Sequence, residues 1–354
     1  MAGPVFEGKE KTLDFTKYMK DMKPITTPAQ LMEMVSAFRT SRLILSAIEL
    51  RIFDILSGKR MTSARIAEIP GTDTRATDRF LNALVGLGLV VKKNGNFVNS
   101  GFSEKFLVST SPLFMSGLDH SVGLWKTWST LTDAVKAGTS LAETVKNGID
   151  NRGQDWLESF IAAMHARGVE QGRELASMLD LSETRRTLDV GGGSGAFTFA
   201  FIERNPEIKG VILDLPNVVS ITRKYIDKAG YSGKITTLVG DYLLDDFGKG
   251  YDLVLMSAII HINNPEENSL LIRKGADALE EDGQLIIMDH VMNEARTEPF
   301  TGALFALNML VGTKHGDTYT ETELRKWMKD SGLGDIRLLV AESGMQVMFG
   351  RKIT

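Results

Sequence analysis

Apolar residues recur at helical spacing between Pro28 and Leu56: Leu31, Met34, Val35 and Phe38, then Leu43, Ile44, Ala47, Ile48 and Leu50. The preceding Met1–Thr27 is polar and reads as an arm. Thr62 can cap a short helix through Ile69, and Pro70-Gly71 makes a turn. Asp73 or Thr74 can start a helix through Leu87, with Phe80, Leu81, Leu84 and Leu87 on one face and Gly88 as its stop. Leu89-Val90-Val91 and Asn96-Phe97-Val98 flank Lys92-Lys93-Asn94-Gly95, where Asn-Gly signals a hairpin. Helix, turn, helix and hairpin together predict a winged helix. A mainly helical stretch from about Pro112 to Leu179, carrying Trp125, Trp128, Trp156, Phe160 and Met164, reads as a bridge between two domains.

From Thr187 the period alternates. Strands are expected at Thr187–Val190, Lys209–Leu213, Ile235–Val239, Tyr251–Ser257 and Gly283–Asp289. Helices are expected at Gly195–Arg204, Val218–Ala229, Pro265–Leu279 and Thr320–Asp330, and Ile336–Ala341 can pair with Met345–Arg351 as a final hairpin. Such alternation predicts an α/β domain, a mostly parallel sheet with helices on both faces, to which the final hairpin adds an antiparallel last strand.

Composition narrows the function classes. The chain has 354 residues, 43% hydrophobic and 24% charged, enough for two domains with large cores. It has no cysteine, which excludes disulfides, thiolate metal sites and cysteine nucleophiles, and fits a reducing cytoplasm. The net charge of −4 argues against a duplex-binding surface. No apolar run is long enough to span a bilayer, so the expectation is a cytoplasmic protein without a membrane or nucleic-acid partner and without a metal.

The first strand of the α/β part runs into Asp189-Val190-Gly191-Gly192-Gly193-Ser194-Gly195 and then a helix. Missing side chains let the backbone turn tightly, and a helix start offers free N–H groups to an anion. An ordinary glycine turn is the competing reading. Asp214 at the second strand end could accept ribose hydroxyls, and Asp241 after the third could take an adenine amino group, so three successive strand ends point to a nucleoside. The glycine spacing is G-x-G-x-G rather than the dinucleotide G-x-G-x-x-G, and no G-x-x-x-x-G-K-[ST] phosphate loop stands there. His261 follows the strand ending at Ser257, on the edge where that ligand would lie; capping the helix after Pro265 is its alternative role.

The sequence Asp189 to Gly195, then Asp214-Leu215-Pro216, Gly240-Asp241, and His261 ahead of Pro265-Glu266-Glu267, resembles the caffeate and acetylserotonin type of S-adenosyl-L-methionine (SAM)-dependent O-methyltransferase, over nearly the whole chain. The resemblance implies a class I Rossmann-like methyltransferase domain over about residues 111–354, led by the helical bridge. Residues 1–110 would form an all-α, winged-helix dimerisation domain, and the chain a homodimer. It implies Gly191 and Gly193 near the methionine part of SAM, Asp214 on the ribose, Asp241 with Tyr242 at the adenine, and Leu215, Gly240 and Ser257 as further cofactor contacts, with S-adenosyl-L-homocysteine (SAH) as product. His261 would be the general base and Asp289, at the end of the next strand, its orienting acid. Trp128, Phe160, Met164, Phe305, Asn308 and Met309 would enclose a small aromatic acceptor, a setting that suits the chain's 16 methionines.

The chain departs from the family at two places. Thr318 stands where a second glutamate is usual, so that either Asp317 beside it substitutes or the second acid is absent, and Ile262-Asn263 stand where Asp-Trp is usual. Alternation along the strand turns His290 to the face opposite Asp289, a structural position. His120 and His165 lie in the bridge and His315 in a polar loop. Three other readings remain open: an N- or C-methyltransferase or non-methylating SAM enzyme, a DNA-binding regulator using Arg75, Arg79, Lys92 and Lys93, and a nicotinamide dehydrogenase.

Overall fold

The structure is a computed structural model that describes residues 24–115, 117–141 and 153–353. Most of the polar arm, residues 1–23, therefore lies outside the described residues. The chain divides into two compact units, residues 24–130 with 153–164, and residues 131–141 with 165–353. The first unit thus extends past residue 110 and takes in much of the expected bridge.

The first unit contains α1 (Pro28–Ser36), α2 (Phe38–Glu49), α3 (Ile52–Leu56), β1 (Met61–Thr62), α4 (Ser63–Glu68), α5 (Thr74–Gly86), β2 (Val90–Lys93), β3 (Asn96–Asn99), α6 (Gly101–Phe106) and α7 (Gly117–Trp128). Its helix starts follow the capping residues. Thr27 and Gln30 form a capping box on α1, Thr62 accepts the Arg65 N–H, and Asp73 Oδ1 accepts the Ala76 N–H at 2.8 Å. Asn94 and Gly95, at φ 50° and 75°, make the tight turn between β2 and β3, and β1 adds to the hairpin in the order β1-β3-β2. Phe53, Leu56, Ile66, Leu81, Leu84 and Phe97 fill the core of this winged helix. Lys92, counted above among possible DNA contacts, is paired with Asp78 at 3.2 Å.

The second unit contains α8 (Leu131–Ala137) and, after the long α9 (Gln154–Met178) that begins in the first unit, the sheet. Its elements are β4 (Arg186–Val190), α10 (Ala196–Arg204), β5 (Lys209–Asp214), α11 (Pro216–Ala229), β6 (Ile235–Val239), β7 (Tyr251–Ser257), α12 (Pro265–Ala278), β8 (Leu279–Met288), β9 (Val291–Met292), α13 (Phe300–Gly312), β10 (Tyr319–Thr320), α14 (Glu321–Asp330), β11 (Leu333–Val340) and β12 (Gln346–Lys352). The seven-stranded order is β11-β12-β8-β7-β4-β5-β6. Pairs from β6 to β8 are parallel, and β12 pairs antiparallel with both β8 and β11. Both faces are apolar, as continuous runs such as Leu253–Met256 require. Val254, Met256, Leu285 and Ile287 pack with Leu271 of α12 and Leu324 of α14, while Leu253, Leu255 and Ile286 pack with Leu175 of α9 and Phe199 of α10. The chain leaves β4 toward β5 on one side and β7 lies on the other, so the edge crevice falls between β4 and β7.

Two features were not anticipated. Helix α13 reads FTGALFALNMLVG, apolar on nearly every side, so no amphipathic period announces it. The two-residue parallel pair of β9 with β10 depends on tertiary contact rather than local pattern. Among the described residues no helix is long and apolar enough to cross a membrane.

Candidate active site

The carboxyl edge of the sheet gathers the expected residues. After β4 the chain turns at Gly191, whose φ is 65° and whose N–H donates to the Leu213 carbonyl at 2.8 Å. A Cβ there would lie 2.7 Å from Ile259 Cδ1, so only glycine suits both the backbone and the approach of the loop after β7. Helix α10 begins at an N-cap Gly195 that supplies no side-chain cap, which leaves first-turn N–H groups for a ligand.

Asp214, at the end of β5, accepts the Gly193 N–H on Oδ2 and the Leu215 N–H on Oδ1, both at 2.8 Å, and so ties the glycine loop to the next strand end. Burial pushes its carboxyl up to about 6, with these backbone N–H groups working against the rise. In its ionised form it can accept hydroxyl groups. Beneath the loop, Asp189 is buried, takes the Thr198 hydroxyl on Oδ2 at 2.9 Å, and has no partner on Oδ1 among the described residues. Burial raises it to about 7.

At the end of β6, Gly240 donates its N–H to the Asp214 carbonyl at 3.0 Å. Asp241 accepts the Leu243 N–H at 2.8 Å and gives its own N–H to Asp245 at 2.7 Å. Tyr242 is half-buried, and its hydroxyl donates to Asn263 Oδ1 at 2.9 Å. Ser257 ends β7, and Ala258 then bends the chain at φ 53° into the short 3-10 turn Ile260–Ile262.

That turn presents His261. Its ring is 11% exposed and the Asp289 side chain 3%. Burial pushes the Asp289 carboxyl up, but the His261 and His290 imidazoles and the hydrogen bonds more than offset this and hold it below the usual carboxylate range. An ionised carboxylate only accepts, so His261 Nδ1–H donates to both Asp289 oxygens, at 2.9 Å each. Nε2 is then the basic nitrogen, and among the described residues no hydrogen bond engages it. The capping role falls instead to Asn264, which forms a capping box with Glu267 on α12.

Phe305, on α13, meets His261 edge-on, with ring centroids 4.8 Å apart at 90°. The same phenylalanine lies 4.5 Å from His290, which therefore does not turn away from the site. Strand β8 ends at Met288, so alternation no longer governs the next two residues. The His290 N–H donates to Asp289 Oδ1 at 2.8 Å, and burial lowers its imidazole, with Asp289 opposing and His261 and Arg167 adding to the shift. Arg167 of α9 thus contributes positive charge near the cluster, and no sequence signal near the strand ends marks it.

Asp317 sends its backbone N–H to the His261 carbonyl at 3.1 Å, while its carboxylate lies 3.4 Å from Arg296 and accepts the Thr318 N–H. The loop thus reaches His261 through its backbone, and Thr318 is buried beside it in sequence. Gly316 permits the approach: a Cβ there would lie 2.3 Å from the His261 carbonyl oxygen.

Met309 is buried on α13 and Asn308 half-buried beside it. Trp128, Phe160 and Met164 belong to the first unit, where Phe160 stacks on Trp156 at 5.2 Å and meets His120 at 5.4 Å. His165 stands by the glycine loop, its Nδ1 2.9 Å from Ser194 Oγ and its ring 4.4 Å from Tyr225.

The O-methyltransferase domain profile matches residues 128–334, and the O-methyltransferase dimerisation domain profile matches residues 32–109. The chain is 28% identical over 315 residues to 3-hydroxy-5-methyl-1-naphthoate 3-O-methyltransferase of Streptomyces sahachiroi, covering 88% of this chain and 90% of that one. It is 26% identical over 349 residues to acetylserotonin O-methyltransferase of Gallus gallus, covering 94% and 100%. The solved structure of PigF with SAH superposes at a TM-score of 0.82, with 24% identity and coverage of 92% and 100%, which shows a shared fold. Because the O-methyltransferase profile covers more than half of the chain and the dimerisation profile most of what precedes it, this chain belongs to the SAM-dependent O-methyltransferase family.

Proposed function

We propose that the protein methylates a hydroxyl group of a small aromatic molecule, with His261 as general base and Asp289 as its orienting acid. The observation that carries this is the pair of 2.9 Å contacts from His261 Nδ1 to Asp289, which leave Nε2 as the site for a proton. An unperturbed phenol has a pKa of about 10, so the proton has to leave as the new bond forms, and an imidazole within reach can take it. Asp289 then faces an imidazolium, whose charge it stabilises.

SAM supplies the methyl group and its own leaving group. The residues present suit its nucleoside: open N–H groups at the start of α10, an ionisable Asp214 beside the glycine loop, and Asp241 and Tyr242 at the next strand end. Gly191, Gly193, Leu215, Gly240 and Ser257 complete this reading of the binding edge. Phe305 and Met309 supply apolar surface for a ring and Asn308 a polar amide beside them, and Trp128, Phe160 and Met164 are further acceptor contacts on the family resemblance. The names of the two curated relatives, a hydroxynaphthoate and an acetylserotonin enzyme, favour an aromatic acceptor. Asp317 is a supporting residue that acts through its backbone N–H on the His261 turn. The dimerisation profile supports a homodimer.

The test assays wild type and His261→Ala with methyl-labelled SAM against a panel of phenols and aliphatic alcohols. The expected result is a rate lower by about 10²–10⁴-fold, with SAH affinity within about threefold of wild type. Undiminished methylation would remove His261 from the mechanism, and activity confined to aliphatic alcohols would remove the aromatic acceptor.

A further inference from the structure

The turn that carries His261 is tied by buried polar side chains to the far end of the same edge. Tyr242 O–H donates to Asn263 Oδ1 at 2.9 Å, and Asn263 Nδ2–H donates to Asn268 Oδ1 at 3.2 Å. Asn268 Nδ2–H donates to the Ile260 carbonyl at 2.9 Å, which also takes the Asn263 backbone N–H at 3.3 Å. Tyr319 O–H donates to the Asn263 carbonyl. Both asparagines are buried, and Asn268 is fully so. His261 lies between the two anchored residues, Ile260 and Asn263.

We propose that Asn263 is a positioning residue that couples Tyr242 to the His261 turn, so that filling the nucleoside end of the site fixes where the base stands. The proposal rests on the reading of Tyr242 as an adenine-side residue.

Three observations carry it. The chain of hydrogen bonds is continuous, from a side chain at the end of β6, through Asn263, to the backbone of the residue before His261. The members are mutually satisfied, so displacing one leaves a buried donor or acceptor unpaired, at a cost of about 1–3 kcal/mol. A displacement of Tyr242 is therefore passed on more cheaply than it is absorbed. Finally, a buried amide is no more stabilising than an apolar pair of the same shape, so mere cohesion of the turn does not require it. The amide stands where the family's usual Trp would be, and it supplies what an indole cannot, an acceptor for Tyr242 together with a donor for Asn268. Burial raises the Tyr242 phenol above its ordinary value, so it remains a donor throughout the working range.

The test follows the ring ¹⁵N resonances of His261 and the resonances of Tyr242 in the full-length protein as SAH is added. In wild type both residues respond. In Tyr242→Phe, which keeps the ring and removes only the link, SAH binds within about tenfold of wild-type affinity and the His261 response falls at least about threefold. Adenosine gives a variant-free arm, because it carries the nucleoside without the sulfur and its amino-acid chain: it is expected to move both Tyr242 and His261 in wild type. Movement of Tyr242 without His261, or an unchanged His261 response in Tyr242→Phe, would overturn the coupling. SAH that binds without moving Tyr242 would overturn the adenine-side reading, and the coupling with it.

Discussion

At the scale of single residues, two acids, Asp189 buried and Asp214 half-buried, make opposite demands on the edge. Asp214 is raised to about 6 by burial yet has to be ionised to accept ribose hydroxyls. SAH affinity should therefore be constant above about pH 6 and fall by up to about tenfold per unit below it, measured by calorimetry. A flat profile down to about pH 5 would remove Asp214 from the ribose. Asp189 is raised to about 7, and its unfolded counterpart ionises near 4, so the unfolded state releases its proton first and stability falls as pH rises between the two values. Asp189→Asn keeps an acceptor for Thr198 and removes this loss. The variant should match wild type near pH 4 and exceed it by about 2–4 kcal/mol near pH 8 in denaturant unfolding. An equal gain at both pH values would mean that the charge of Asp189 is not the cause. His290 shows where residue-level reading stops: alternation assigns it to the wrong face because the strand has already ended.

At the scale of elements, the base is placed by loops rather than by its own strand. The Gly316–Thr318 loop, which follows α13 in the chain, closes on His261, and Arg296 locks it by holding the Thr318 carbonyl at 2.6 Å and Glu323 through two contacts of 2.7 and 2.8 Å. Gly316→Ala would place a methyl group 2.3 Å from the His261 carbonyl and 2.5 Å from Thr313 Oγ1. The expected outcome is a kcat lower by about tenfold or more with SAH affinity within about threefold, read by steady-state kinetics and calorimetry. An unchanged kcat would mean that the turn tolerates the shift. The glycine loop, Asp214, His261 and Asp289 were legible in the sequence because each sits at or within a few residues past the end of a strand whose apolar run marks it. Helix α13, the β9–β10 pair, Arg167 and the asparagine chain were not, because they depend on contacts between segments far apart in sequence. Asn263 could be noticed as a departure from the family pattern, but its partners could not.

At the scale of the whole molecule, the winged-helix unit carries an unpartnered apolar element. Helix α1 buries no residue, and Leu31, Met32, Met34 and Val35, with Phe38 just beyond, are 46–61% exposed. An apolar face of this kind on an O-methyltransferase dimerisation domain fits a second copy of the chain. The double variant Leu31→Glu, Val35→Glu should shift sedimentation from dimer to monomer without lowering the melting temperature of the methyltransferase unit. A dimer that persists would place the interface elsewhere.

The account stands or falls on where the transferable methyl group sits. Its most direct test is an isotope-filtered NOE experiment on the protein bound to SAM carrying a ¹³C-methyl group. Contacts from that methyl to the His261 and Phe305 rings are expected. Contacts confined to other residues, or a methyl group that stays in solvent, would contradict the account.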